Sequence, residues 1–96
     1  MATPQIHADA GLLRVTGDLT FATVPGLVQE VSWASGVQTV DLSRVQKTDS
    51  AAVALLLEWS RQARAHGGLR LEAIPERLRQ LIEVHGVETL FQRTSA

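Results

Sequence analysis

Val40-Asp41-Leu42-Ser43-Arg44-Val45-Gln46-Lys47-Thr48-Asp49-Ser50-Ala51-Ala52-Val53-Ala54-Leu55-Leu56-Leu57 is the stretch that decides the fold. Counted from Val37 through Leu42, its front end carries Val37, Val40 and Leu42 with Thr39 between them, β-branched and apolar enough for a buried central strand. Ser43 to Thr48 reads as a polar loop. A helix follows from about Ser50 to His66, where Gly67-Gly68 stops it, since glycine readily takes the left-handed conformation that ends a helix. Thr48, Asp49 and Ser50 all carry side-chain oxygens suited to capping the first turn, a role worth about 1 kcal/mol.

Upstream, Gln5 to Ala8 and Leu12 to Thr16 flank the turn-rich Asp9-Ala10-Gly11 and predict a hairpin. Phe21, Val24, Leu27, Val28 and Val31 then recur at steps of three and four, the spacing of a helix, with Thr23 and Pro25 at its start and Ser35-Gly36 at its end. Downstream, Leu69, Leu71 and Ala73 alternate with Arg70 and Glu72 and predict a strand. Pro75 opens a last amphipathic helix through Leu78, Leu81 and Ile82 to Gly86. Strands joined through helices pair in parallel with right-handed crossovers. The expected architecture is therefore an α/β mixed four-stranded sheet that starts with an antiparallel hairpin and carries helices. Residues 1–96 form one domain, with 91–96 as a frayed tail.

The composition, 45% hydrophobic and 20% charged, is that of an ordinary folded chain and far from that of a disordered one. With no cysteine, neither disulfides nor thiolate metal sites can contribute. A net charge of -1 without a basic stripe argues against nucleic acid as a partner. Residues 1–12 lack the pattern of a signal peptide, and the apolar run Ala51 to Leu57 is far shorter than the ~20 residues of a membrane span.

Catalytic chemistry finds little to work with. His7, His66 and His85 fall on separate elements with no ligand-spaced pair, and His66 and His85 suit the last turn of a helix, where positive charge is favoured. No phosphate-binding glycine loop and no nucleophile elbow occurs, so the reading is non-enzymatic and without a cofactor.

The unusual feature is the helix after Ser50. Val53, Leu56, Leu57 and Ser60 lie along one face, and Ala52, Leu55, Trp59 and Ala63 along another, whereas a helix resting on a sheet needs only one apolar stripe. Either neighbouring helices cover the second face, or it is open and offers Trp59 to a partner as an anchor. Trp33 carries the same ambiguity.

Taken together these residues resemble the STAS domain. A strand and loop lead to Asp49-Ser50 and a small-residue apolar helix, Gly17-Asp18-Leu19 closes the second strand, Leu42-Ser43 follows the central one, and Gly86 turns after the last helix. Within that family, Leu42-Ser43-Arg44-Val45, Asp49-Ser50 and Ala54-Leu55-Leu56-Leu57 are most similar to the small STAS subunits of phospholipid-transport ABC complexes. The resemblance implies a cytoplasmic, non-catalytic adaptor, peripheral to the inner membrane through its partner. That partner is the ATPase subunit of an ABC transporter that maintains outer-membrane lipid asymmetry. Thr48, Asp49, Ser50, Ala51, Ala52, Leu55 and Trp59 are then the expected docking residues. Ser50 also matches the phosphorylated serine of anti-anti-sigma factors, which implies the alternative of a switch regulated by phosphorylation at Ser50. Ala52 stands where those proteins usually have glycine.

Overall fold

A computed structural model describes residues 3–86 and 92–93. The hairpin forms as expected: β1 (Gln5–Asp9) pairs antiparallel with β2 (Leu12–Leu19) through the two-residue turn Ala10-Gly11. Both turn residues have positive φ, 51° and 83°, the backbone twist that matches two antiparallel strands in a tight hairpin. The Gly11 carbonyl then accepts from the amides of Gln38 and Thr39, which seats the next strand beside β2.

That strand, β3 (Thr39–Thr48), lies parallel to β2 and is longer than its apolar front half predicts. Ser43 to Thr48, expected as a loop, is part of it. The register explains why the pattern conceals this: Arg14 faces Asp41 but Thr16 faces Arg44, and Gly17 faces Val45 but Leu19 faces Thr48. Each step gives β3 one residue more than β2, a bulge, and each bulge shifts the period of two. Val40, Leu42, Val45 and Thr48 consequently all end up buried, although they do not alternate regularly.

β3 leads directly into α1 (Ser50–Ala63), which is extended by a 3-10 turn to His66 before the glycine pair. β4 (Arg70–Glu72) pairs parallel with β3, and α2 (Glu76–Val84) follows Pro75. The mixed sheet with its N-terminal antiparallel hairpin is thus the expected one, joined at its edge by a two-residue strand, β5 (Gln92–Arg93), parallel to β4. Of the expected frayed tail, Gln92 and Arg93 are therefore sheet residues, and the remainder lies outside the described residues.

Between β2 and β3 the expected helix is absent. Residues 24–26 and 33–35 form two separate 3-10 turns, and the chain between them is irregular. Pro25 is followed immediately by Gly26, whose backbone entropy disfavours a helix by about 1 kcal/mol, and β-branched Val24, Val28 and Val31 add little propensity. Val24, Leu27 and Trp33 still reach the core, so the apolar spacing is honoured without a helix. Phe21 is different: it is 73% exposed.

One core results, built from Leu13, Val15, Leu19, Val40, Leu42 and Leu71 of the sheet and covered by α1, α2 and the irregular segment. The opposite face of the sheet carries Gln5, His7, Arg14, Thr16, Asp41, Arg44 and Arg70 and stays exposed or half-buried.

Candidate functional site

The junction of β3 and α1 is held by one carboxylate. Asp49 is the N-cap of α1: its Oδ1 accepts from the Ala51 amide at 2.8 Å, and its carbonyl accepts from the Ala52 amide. Its Oδ2 accepts from the Phe21 amide at 3.1 Å, and its own amide donates to the Leu19 carbonyl. A single side chain thereby fixes both the start of α1 and the loop that leaves β2. The loop holds itself as well, since Thr23 Oγ1 donates to the Asp18 carbonyl and accepts from the Thr20 amide. Asp18, itself buried, accepts from the Lys47 amide and ties the end of β2 to β3.

Capping is therefore the work of Asp49 alone, and not of all three residues of the corner. Thr48 is buried, and its hydroxyl has no hydrogen-bond partner among the described residues. Ser50, the first residue of α1, is exposed, and its Oγ lies 3.4 Å from Nε2 of His85 at the end of α2. The imidazole at that helix C-terminus matches the placement expected from the dipole. Replacing Asp49 with alanine removes the side-chain acceptors of two backbone amides, those of Ala51 and Phe21, together. We expect Asp49→Ala to cost about 1–2 kcal/mol of stability in urea unfolding, and amide exchange at Phe21 to accelerate more than at residues elsewhere in the sheet.

The second face of α1 is covered. Ala51, Ala52, Leu55 and Trp59, expected to meet a partner directly, are buried, and Trp59 is 0% exposed. Its cover is Trp33, whose ring stands edge-on to it at a centroid distance of 6.0 Å and an interplanar angle of 68°. Trp33 Nε1 donates to Gln62 Oε1 at 2.8 Å, and Gln62 Nε2 donates in turn to the Val28 carbonyl, which pins the irregular segment onto α1. Trp59 cannot act as a surface anchor because the segment expected to be a helix has folded over it.

What α1 leaves open is a narrow stripe: Ser50, Ala54 and Arg61 are exposed, with Leu57 and Glu58 half-buried between them. Hydrogen bonds from Arg61 and then Gln62 pull the Glu58 carboxyl down to about 2, so the far end of the stripe is a charge-compensated pair at any ordinary pH. Beside the near end stand Phe21, whose amide binds Asp49, and His85 at the end of α2. Of the expected docking residues, the structure leaves Asp49 and Ser50 accessible at the corner and adds Phe21 and His85. Phe21 was legible in principle: it precedes Thr23, the cap of the helix it was counted into, and so lay outside that helix. Nothing in the spacing of His85 pointed to Ser50, because the two meet only through the packing of α2 on α1.

Among the described residues no group of three or more His, Asp or Glu side chains gathers as a metal site, and no helix is long and apolar enough to cross a membrane.

A family model described as "Mlab, STAS domain" matches residues 2–92, and the chain belongs to the STAS domain family. A comparison with curated proteins found no match. Among solved structures, an anti-sigma factor antagonist from Mycobacterium paratuberculosis superposes with a TM-score of 0.76 at 20% identity, over 100% of this chain and 87% of that one. SpoIIAA in its unphosphorylated form gives 0.72 at 20% identity, covering 97% and 89%. The phosphorylated form of the Bacillus cell-fate determinant SpoIIAA gives 0.66 at 19%, covering 97% and 92%. At these identities the likeness is one of fold.

Proposed function

We propose that the chain is a non-catalytic adaptor that docks on the ATPase subunit of a phospholipid-transport ABC complex, the kind of transporter that maintains outer-membrane lipid asymmetry. The observation that carries this reading is the match of nearly the whole chain to the family model described as MlaB. The site supports it. Phe21 is a large aromatic side chain held out in solvent while its own amide is fixed by Asp49, so it loses little backbone freedom on meeting a partner. Ser50 and Ala54 next to it are small, which lets a partner approach α1 closely. The ATPase would hold the protein at the cytoplasmic side of the inner membrane.

Binding of the purified ATPase subunit, measured by calorimetry, tests the surface. Phe21→Ala weakens association by about 2 kcal/mol, roughly thirtyfold, and Ser50→Arg blocks close approach, while neither alters the thermal unfolding of the isolated domain. Undiminished affinity in the folded double variant removes this corner from the interface.

A second reading rests on Ser50 itself. Its hydroxyl is exposed in the first turn of α1, and a solved neighbour of the same fold is known in unphosphorylated and phosphorylated forms. A phosphate there would be favoured by the helix dipole and by His85, and opposed by Asp49. Mass spectrometry after incubation with an anti-sigma kinase separates the two: stoichiometric modification at Ser50 favours the switch, and an unmodified chain favours the adaptor.

A further inference from the structure

Among the described residues, nothing covers the face of the sheet away from the helices. Parallel strands are usually buried on both faces, yet the outward side chains of β2, β3 and β4 are exposed or half-buried along their length. The register arranges them in rungs. His7, Arg14, Asp41 and Glu72 stand side by side in one, and Gln5, Thr16 and Arg44 in the next. Between these rungs lies a shallow depression lined by Gln5, Ile6, His7, Arg14, Thr16 and Arg44.

The chemistry of that lining is one-sided. Arg14 and Arg44 are exposed, and neither forms an ion pair among the described residues, where the paired arginines are Arg61 and Arg79. His7 stands directly across the hairpin from Arg14, a neighbour that does nothing to compensate the guanidinium. The nearest carboxylate on this face, Asp41, is beside Arg14 in the register but is not part of the lining, and its Oδ1 accepts from the Ser43 amide at 2.9 Å. Glu72 lies one strand further away and Asp9 at the hairpin end, across from Leu12. Two guanidinium forks, an imidazole, a threonine hydroxyl and the Gln5 amide thus border one depression. That is more donors than the two oxygens of a carboxylate can use, and it suits a group with three terminal oxygens and a double negative charge.

We propose that this depression binds the phosphate group of an anionic ligand, with Arg14 and Arg44 as the two charged clamps and Thr16 and His7 as additional donors. The site is separate from the Ser50 corner: it lies on the opposite face of the sheet from α1, so a ligand here and a protein partner there can be held together.

The test uses the full chain, labelled with nitrogen-15 and titrated with glycerol 3-phosphate against sodium chloride at matched ionic strength. Flotation with vesicles of phosphatidic acid, whose headgroup is likewise a phosphate monoester, in phosphatidylcholine runs in parallel. The expected result is saturable shifts at His7, Arg14, Thr16 and Arg44 that chloride does not reproduce. Arg14→Gln combined with Arg44→Gln is expected to reduce affinity about tenfold or more, the loss of charge-assisted hydrogen bonds. Saturation by glycerol 3-phosphate alone identifies a soluble phosphate as the source, and flotation abolished in the double variant identifies a lipid headgroup; either supports the site. The proposal is overturned when chloride produces the same shifts, when the shifts centre on Ser50, when neither probe binds, or when the folded double variant binds as the parent does. Should the double variant not fold, the shift map of the parent chain decides by itself.

Discussion

Trp59→Ala lowers the unfolding free energy by about 3–5 kcal/mol, the cost of emptying a fully buried aromatic site in a close-packed core. Domains of this size are stable by only about 5–15 kcal/mol, so this one substitution removes a substantial fraction of the total. The site cannot collapse cheaply. Trp59 lies between the sheet side of α1 and Trp33, and Trp33 is tethered through Gln62, so the cover cannot simply fall inward. The measurement is the urea midpoint, with the slope compared to the parent to exclude a change in the denatured state. Trp59→Phe is the informative companion. The indole N–H of Trp59 has no hydrogen-bond partner among the described residues, so phenylalanine removes an unsatisfied buried donor while losing volume. We expect it to cost less than half of the alanine change. An unchanged midpoint for Trp59→Ala would return this side chain to the surface and reopen its role as an anchor. With the expected result, any loss of partner binding in that variant reports unfolding and says nothing about the interface.

The second large effect belongs to Gly17→Ala. Gly17 sits within β2 at φ +91°, where an L side chain is strained, and a Cβ there would lie 2.6 Å from the Thr3 carbonyl oxygen and 2.9 Å from the Cα of Pro4. Both obstacles are backbone, so no rotamer can relieve them. The conformational cost is about 1–2 kcal/mol, and displacing the segment that leads into β1 brings the expected total to about 2–4 kcal/mol. Because Thr3 and Pro4 immediately precede β1, the damage should concentrate there. Hydrogen exchange should show β1 amides opening well before those of β3. Gly26→Ala is the control: nothing lies within 4 Å of its added Cβ, its φ is not positive, and stability should be unchanged or slightly raised. Equal stability of Gly17→Ala and the parent would refute the close approach of the two segments.

A single sequence carries the periodicity and turn signals of this fold, but not the packing that its irregular segments produce. The hairpin, α1, β4 and α2 follow from periodicity and from glycine and proline at their ends, and they form, although β2 runs through Gly17 to Leu19, past its expected end at Thr16. β3 was half legible, because Ser43, Arg44, Gln46 and Lys47 look like a loop when one face of the sheet stays in water and bulges break the alternation. The segment 20–36 departs from the expected helix for the converse reason. Val24, Leu27, Val28 and Val31 have helical spacing, but that spacing only requires that they reach the core, which the irregular chain achieves around Pro25-Gly26. The candidate site depends on the same segment. Asp49 and Ser50 could be located from the strand-to-helix junction, whereas the burial of Leu55 and Trp59 depends on what that segment does.

That same segment determines what light can report about this protein. Trp33 and Trp59 are its only tryptophans, it has no tyrosine, and the two indoles touch. The tryptophan bands of the near-ultraviolet dichroism and the tryptophan emission therefore arise from a single pair in contact and follow the clasp between residues 20–36 and α1. Trp59 is nine residues beyond Ser50, about 14 Å along the helix axis, and shielded from solvent. Intrinsic fluorescence is consequently a faithful gauge of folding and a poor one of docking, for which a dye attached beside Phe21, at the exposed Ala22, would be the appropriate observer.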